Sequence, residues 1–459
     1  MTAVDAPRTP LTLRARTGGT VAFRLEEVAG RRVMMVEVGG ENRGALRSED
    51  GENLAIAART ARQQRIPLVC FVASSGADLS EGVAAIHGWG IAAREFVACS
   101  GIIPMIFCVD GPTVSGPALL LGLADLVVMV DKTYAFMSGP QMVERFTGEE
   151  LSNEGLGGAS MHARTSGVAH FNVADRDEAV ELVTELLGFL PDHADALPAP
   201  VPCIDPVDRP TPEAGDLLPD TSTGSYDVRH VIECIVDDGH LLEPRAAFAT
   251  NLVTAFATIG GRPVGIVANQ PQSVAGTLDI PSSQKGGRFV AFCDAFNLPL
   301  ITFVDTSGFY PGKDLEWRGM IRYGAQMAFA YARATVPRVC VILRKSYGGA
   351  YIVMSSKHLR SDINLVWPSA EIAVMGAEGA VNIIYREELS EVEDPQEKRQ
   401  LLIADYQDKF TNPYVAASRG FVDDVIDPSE TRPQIIKALE MLQNKRDSLP
   451  AKKHGNIPL

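Results

Sequence analysis

Apolar residues in this chain gather in short β-rich runs, each handing over to a longer stretch with helical spacing. RVCVIL at 338–343 leads into RKSYGGAYIVMSS at 344–356, and CFVA at 70–73 is followed by SEGVAAIHGWGIAAREFVACSG at 80–101. IRYGAQMAFAYARAT at 321–335 has the same helical character. Repeated β-α units predict a layered α/β fold.

The pattern occurs twice. CFVASSGA at 70–77 answers TFVDTSGF at 302–309, and IPMIFCVDGPTVSGPALLL at 103–121 answers VPRVCVILRKSYGGAYIVM at 336–354. DLVVMVDKTYAFMSGP, from Asp125, answers DINLVWPSAEIAVMGAEG, from Asp362. A duplicated domain follows. Between Pro191 and Pro219 lie eight prolines with few long apolar residues, a composition expected to stay extended and pack little. The expected division is a domain over 1–190, a linker over 191–225 and a second domain over 226–459.

Each copy carries one small-residue turn where a strand meets a helix, at Ser115-Gly116 and at Gly349-Ala350. Such a turn lets an oxygen approach main-chain N–H groups that a helix start leaves without partners. Pro117 suits the first turn of a helix, where its missing N–H costs nothing. Two anion-stabilising sites are therefore expected, with the N–H groups of Ser115 and Gly116 as donors in the first. A tight turn that needs small residues only for its dihedrals would leave the same pattern.

Composition narrows the class. With 459 residues, 46% of them apolar and 22% charged, the chain has enough material for two sizeable cores and is not largely disordered. A net charge of −15 argues against a general nucleic-acid or anionic-membrane surface. The longest apolar run, PALLLGLADLVVMV, is cut by Asp125 and too short to span a bilayer. Seven single cysteines with no CxxC pair suggest neither a zinc site nor a disulfide framework, and a reducing, cytoplasmic compartment is expected.

Longer motifs carry a resemblance. GGASMHARTSGVAHF (157–171), GRPVGIVANQP (261–271), SSQKGGRFVAFCDAFNLPLITFVDTSGFYPG (282–312), RKSYGGAYIVMSSK (344–357), WPSAEIAVMGAEGAV (367–381) and NPYVAASRGFVDDVI (412–426) resemble the carboxyltransferase β subunits of biotin-dependent acyl-CoA carboxylases of the propionyl-CoA carboxylase type. The resemblance implies two tandem crotonase-like (ββα spiral) domains. It implies transfer of a carboxyl group from carboxybiotin to the α-carbon of a short acyl-CoA, through an enolate. The thioester oxygen would be cradled at Ser115 and Gly116, the biotin ureido oxygen at Gly349 and Ala350. Gly348, Tyr351 and Ile352 would border the substrate, and an apolar Ile352 should accept acetyl to butyryl chains with little discrimination. No metal and no catalytic histidine are implied, and His162 and His170 read as structural.

No ATP-binding glycine loop and no Met-Lys-Met biotinylation site occur, so a biotin carboxylase and biotin carrier are expected on a partner chain. A homo-hexamer with sites at dimer interfaces is implied as well. The departures fall on the acyl-CoA side. Asp78 stands where the family carries arginine, and Val114-Ser115-Gly116-Pro117 stands where it carries Ala-Gly-Gly-Ala. A biotin-independent decarboxylase of a malonyl- or methylmalonyl-type thioester, and a non-catalytic carboxylase subunit, are therefore open alternatives.

Overall fold

Runs that are apolar at every position belong to strands covered on both faces. A computed structural model of the chain describes residues 12–13, 19–219, 221, 223–392 and 394–457, and places the runs in that way. In the first half β1 (Thr12–Leu13), β2 (Val21–Val28), β3 (Arg31–Val38), β4 (Leu68–Ser74), β5 (Met105–Val114), β6 (Leu126–Val130) and β8 (Phe171–Val173) form one sheet in that spatial order, and β7 (Ala135–Phe136) pairs with the end of β5. β1, β2 and β3 are antiparallel, and all later pairings are parallel. Helix α1 (Ser48–Gln64) connects β3 to β4, α2 (Val83–Cys99) connects β4 to β5, and α3 (Gly116–Leu120) opens directly after β5.

The second half repeats the plan. β9 (Leu252–Ile259), β10 (Arg262–Asn269), β11 (Leu300–Thr306), β12 (Arg338–Tyr347), β13 (Ile363–Val366) and β15 (Asp424–Val425) lie side by side, with β14 (Glu371–Ala373) on the end of β12. Among these described strands only β9 and β10 pair antiparallel. The correspondence extends to an irregularity of register. Val72 faces Val109 and then Ser74 faces Thr113; Val304 faces Ile342 and then Thr306 faces Ser346. The slip bends both strand ends just before the turns.

The chain divides into two compact units. One runs to Ala199 and includes Pro244–Phe248 and Ala295–Asn297; the other comprises Pro200–Glu243, Ala249–Asp294 and the residues from Leu298 onward. The proline-rich stretch departs from the expectation that it packs little. From Pro200 it belongs to the second unit: the Val201 N–H donates to Gly261 O at 2.8 Å, the Thr211 N–H to Ser429 O at 2.8 Å, and Ala214 is fully buried. Backbone hydrogen bonds, the packing of Ala214 and Leu218 on the second core, and arginine contacts such as Arg209 to Cys234 O at 3.0 Å hold it where long apolar side chains are few.

In the first unit α1 and α2 cross backbone to backbone, because a Cβ on Gly51 would overlap the main chain of Gly88. Phe96 of α2 meets Phe107 edge-on, with ring centroids 5.3 Å apart. Val38, Leu46, Leu54, Pro117 and Leu120 are among the residues that line a small apolar void of about 10 Å³ beneath α3. No helix is long and apolar enough to cross a membrane, and no cluster of three potential metal ligands occurs among the described residues.

Candidate functional site

At the first turn β5 ends with Val114 facing Phe136 of β7. Ser115 then takes φ 61° and ψ −135°, a conformation that favours glycine. Its N–H donates to Phe136 O at 2.9 Å, and its carbonyl accepts from Ala118 N–H at 3.0 Å. The expected donor pair is corrected here: the Ser115 N–H is already engaged by the β5–β7 pairing. Gly116, the first residue of α3, keeps an N–H with no carbonyl one turn behind it.

At the second turn β12 ends with Tyr347 facing Ala373. Gly348 has φ 60°, matching Ser115, and begins the helix α4 (Gly348–Val353). A Cβ on Gly348 would stand 3.0 Å from Val374 O, so both conformation and space call for glycine. Strand register thus makes Ser115 the counterpart of Gly348 and Gly116 the counterpart of Gly349. Ala350 then corresponds to Pro117, which has no N–H, so the donor shared by the two turns is that of Gly116 and Gly349.

The loops after β4 and β11 complete each site. Gly76 and Gly308 have positive φ, and each N–H reaches the hydroxyl two residues earlier, Ser74 at 3.2 Å and Thr306 at 3.3 Å. The next residues, Ala77 and Phe309, form matching bridges to Leu46 and Leu278. A Cβ on Gly76 would lie 3.4 Å from Ser115 Cβ, so loop and turn abut.

Different elements bring an aromatic ring to each turn. A Cβ on Gly116 would lie 2.8 Å from Nε1 and 2.9 Å from Cε2 of Trp89, on α2. A Cβ on Gly349 would lie 3.3 Å from Cε2 of Phe309. Trp89 escaped the sequence reading, although its setting between two glycines in HGWG was a visible signal for close approach.

Asp78 is almost fully buried as a residue and saturated with donors. Its Oδ1 accepts from the Ser80 N–H at 3.0 Å and hydroxyl at 2.7 Å; its Oδ2 accepts from Asn42 Nδ2 at 3.2 Å and Arg47 Nε at 3.1 Å. The Ser80 hydroxyl, then the Ser80 N–H and Arg47, hold the carboxyl below its ordinary range.

Beneath the second turn lies an ion pair that the sequence reading also missed. Asp305 Oδ2 accepts from Arg344 Nε and from Tyr226 Oη, both at 2.9 Å, and Oδ1 accepts from Lys345 N–H at 3.2 Å. Burial pushes the Asp305 carboxyl up from its ordinary value against the pull of Arg344. Arg344 also donates to Gly224 O at 2.8 Å. At the equivalent place in the first unit stand Ala73 and Gly111, where a Cβ on Gly111 would be 2.7 Å from Ala73 Cβ. One copy fills the gap with an ion pair, the other with close backbone approach.

The remaining expected residues divide. Ile352 is partly exposed on α4. Tyr351 is buried, its hydroxyl has no hydrogen-bond partner among the described residues, and its ring meets His358 edge-on with centroids 5.7 Å apart. His170 Nδ1 accepts from Val127 N–H at 3.0 Å, and His162 Nε2 lies 2.7 Å from Ala135 O, both bracing the first sheet.

Residues 19–457 match the carboxyl transferase domain family. The chain is 45% identical over 417 residues to the propionyl-CoA carboxylase, carboxyltransferase subunit of Haloferax mediterranei, covering 91% of this chain and 81% of that one. It is 48% identical over 393 residues to the methylmalonyl-CoA carboxyltransferase 12S subunit of Propionibacterium freudenreichii subsp. shermanii, covering 85% and 75%. It is 43% identical over 417 residues to the methylmalonyl-CoA decarboxylase subunit alpha of Propionigenium modestum, covering 91% and 81%. Among solved structures, hexameric transcarboxylase 12S with methylmalonyl-CoA and methylmalonic acid bound superposes with a TM-score of 0.95 at 41% identity, over 99% of this chain and 90% of that one.

Proposed function

The chain belongs to the carboxyl transferase family, with two tandem crotonase-like α/β domains, and from that premise we propose that it moves a carboxyl group from carboxybiotin to the α-carbon of a short-chain acyl-CoA. The observation that carries the reading is the doubled turn, with φ 61° at Ser115 and 60° at Gly348 and an N–H donor at the next residue of each copy. Two oxygens gain negative charge in such a transfer, and a fixed backbone donor is worth about 3 kcal/mol to each.

In this reading the Gly116 N–H supports the thioester oxygen as the enolate forms, and Ser115 fixes the direction of that N–H. Gly349 and Ala350 support the ureido oxygen of biotin. The second turn fits such a planar group: Gly348 and Gly349 carry no side chains, and the Phe309 ring stands beside Gly349 as an apolar wall. Biotin, when bound, supplies carbon dioxide and a basic ring nitrogen for the α-proton, so this chain needs no catalytic histidine or carboxylate. Asp305 and Arg344 hold the strand ends under that turn.

The biotin carrier and biotin carboxylase would be partner proteins, and the chain itself a homo-hexamer like transcarboxylase 12S, with its sites at dimer interfaces. A cytoplasmic location accords with seven unpaired cysteines, five of them buried.

The resemblance to methylmalonyl-CoA decarboxylase subunits favours a second reading, in which the first turn holds the same enolate after CO2 leaves a malonyl-type thioester. One assay separates the two. The chain with a biotinylated partner, ATP, bicarbonate and propionyl-CoA should yield the carboxylated thioester. CO2 release from methylmalonyl-CoA by the chain alone, without biotin, would replace the first reading with the second.

A further inference from the structure

The two turns share backbone geometry, yet the aromatic ring beside each comes from a different place. In the second unit the ring belongs to Phe309, in the loop after β11. Its counterpart in the first unit is Ala77, as the matching bridges Leu46–Ala77 and Leu278–Phe309 establish. There the ring is Trp89, brought in by α2, whose backbone is drawn against α1 at Gly51 and Gly88. A difference confined to the side chains around an otherwise duplicated turn is where selectivity between two ligands can be built.

Trp89 is the nearest neighbour of Gly116 on the side a side chain would take, with Nε1, Cε2 and Cδ1 within 2.8–3.0 Å of where a Cβ would stand. The void beneath α3, about 10 Å³ and lined by apolar side chains, has no room for an acyl chain. An acyl chain whose carbonyl carbon sits at this turn would meet the indole as it leaves Gly116. Trp89 is itself only partly buried, and Val83 and Ile86 continue an exposed apolar path at helical spacing from it, 82% and 55% exposed.

We propose that Trp89 is a specificity-determining residue of the acyl-CoA site, its indole edge setting the length of acyl chain accepted at Gly116; this rests on the reading of the first turn as the acyl-CoA side. The test measures kcat/KM of the complete carboxylase, with its biotinylated partner, for acetyl-, propionyl-, butyryl- and hexanoyl-CoA. Trp89→Ala should raise the ratio of hexanoyl- to propionyl-CoA by about 10-fold or more, the scale at which a pocket reads a methylene. Trp89→Phe, which keeps an aromatic ring beside Gly116, should shift the ratio in the same direction by less.

Circular dichroism confirms that each variant is folded. In addition, tryptophan emission of the wild type should change on titration with propionyl-CoA, and that change should be lost in Trp89→Phe. If the wild type carboxylates acyl-CoA but both folded variants keep its chain-length ratio within 2-fold, the inference is overturned and the proposed function stands. If the wild type neither binds nor carboxylates any acyl-CoA, both fall together.

Discussion

Asp78 accepts a hydrogen bond from Arg47 Nε at 3.1 Å, and the guanidinium remains 42% exposed while the carboxylate is 8% exposed. The acid thus holds an arginine from a different segment of the first unit. Arg47 is the N-cap of α1, so the pair ties the loop after β4 to the start of that helix.

This pair has a pH signature. Because the folded carboxyl is held below its ordinary value, its contribution is fully present above the unfolded value of about 3.9 and fades as pH falls through the lower folded one. Thermal melts of wild type and Asp78→Asn should differ by a constant amount above pH ~5 and converge below pH ~4. A difference that instead grew toward acid pH would contradict the assignment.

Ser115 occupies a conformation that costs a non-glycine residue about 1–3 kcal/mol. Ser115→Gly should raise stability by roughly 1 kcal/mol, read as a higher midpoint in urea unfolding with an unchanged slope, after allowance for the freer unfolded chain. A lower midpoint would mean that the Ser115 side chain contributes more than its backbone costs.

Gly116→Ala places a methyl group against the Trp89 indole, where the contact would be 2.8–3.0 Å. Acyl-CoA carboxylation should fall at least 10-fold, and Trp89→Ala in the same chain should restore part of it. Additive effects in this double-mutant cycle would show that the two residues do not meet.

Removing one partner of the buried Asp305–Arg344 pair leaves an uncompensated charge, so Asp305→Ala should cost about 3–5 kcal/mol. The double change Asp305→Ala with Arg344→Gly copies the residues of the first unit and should be less destabilised than the single one, by chemical denaturation. A double variant worse than the single would indicate that the guanidinium is held chiefly by the carbonyls of Thr221 and Gly224.

Ile352 remains the expected reader of acyl chains from the second unit. Ile352→Asp should alter the ratio of kcat/KM between acetyl- and propionyl-CoA more than it alters the melting temperature. An unaltered ratio in a folded, active enzyme would leave acyl choice to the first unit.

The α/β class, the duplication and the two turns were legible in the chain, because strands buried on both faces demand unbroken apolar runs and a turn with positive φ demands small residues. CFVASSGA and TFVDTSGF carry both signals within eight positions. The donors themselves were not legible. Whether the Ser115 N–H is free depends on β7 pairing with β5, and the equivalence of Gly116 with Gly349 depends on strand register. Trp89 reaches Gly116 only because α1 and α2 cross without side chains between them. Asp305 and Arg344 were visible as charges inside or beside apolar runs, yet their pairing needs β11 and β12 aligned with a slip. Local propensity and periodicity are written along the chain, whereas these contacts join residues far apart in it and exist only once sheet register and helix crossing have been settled by packing.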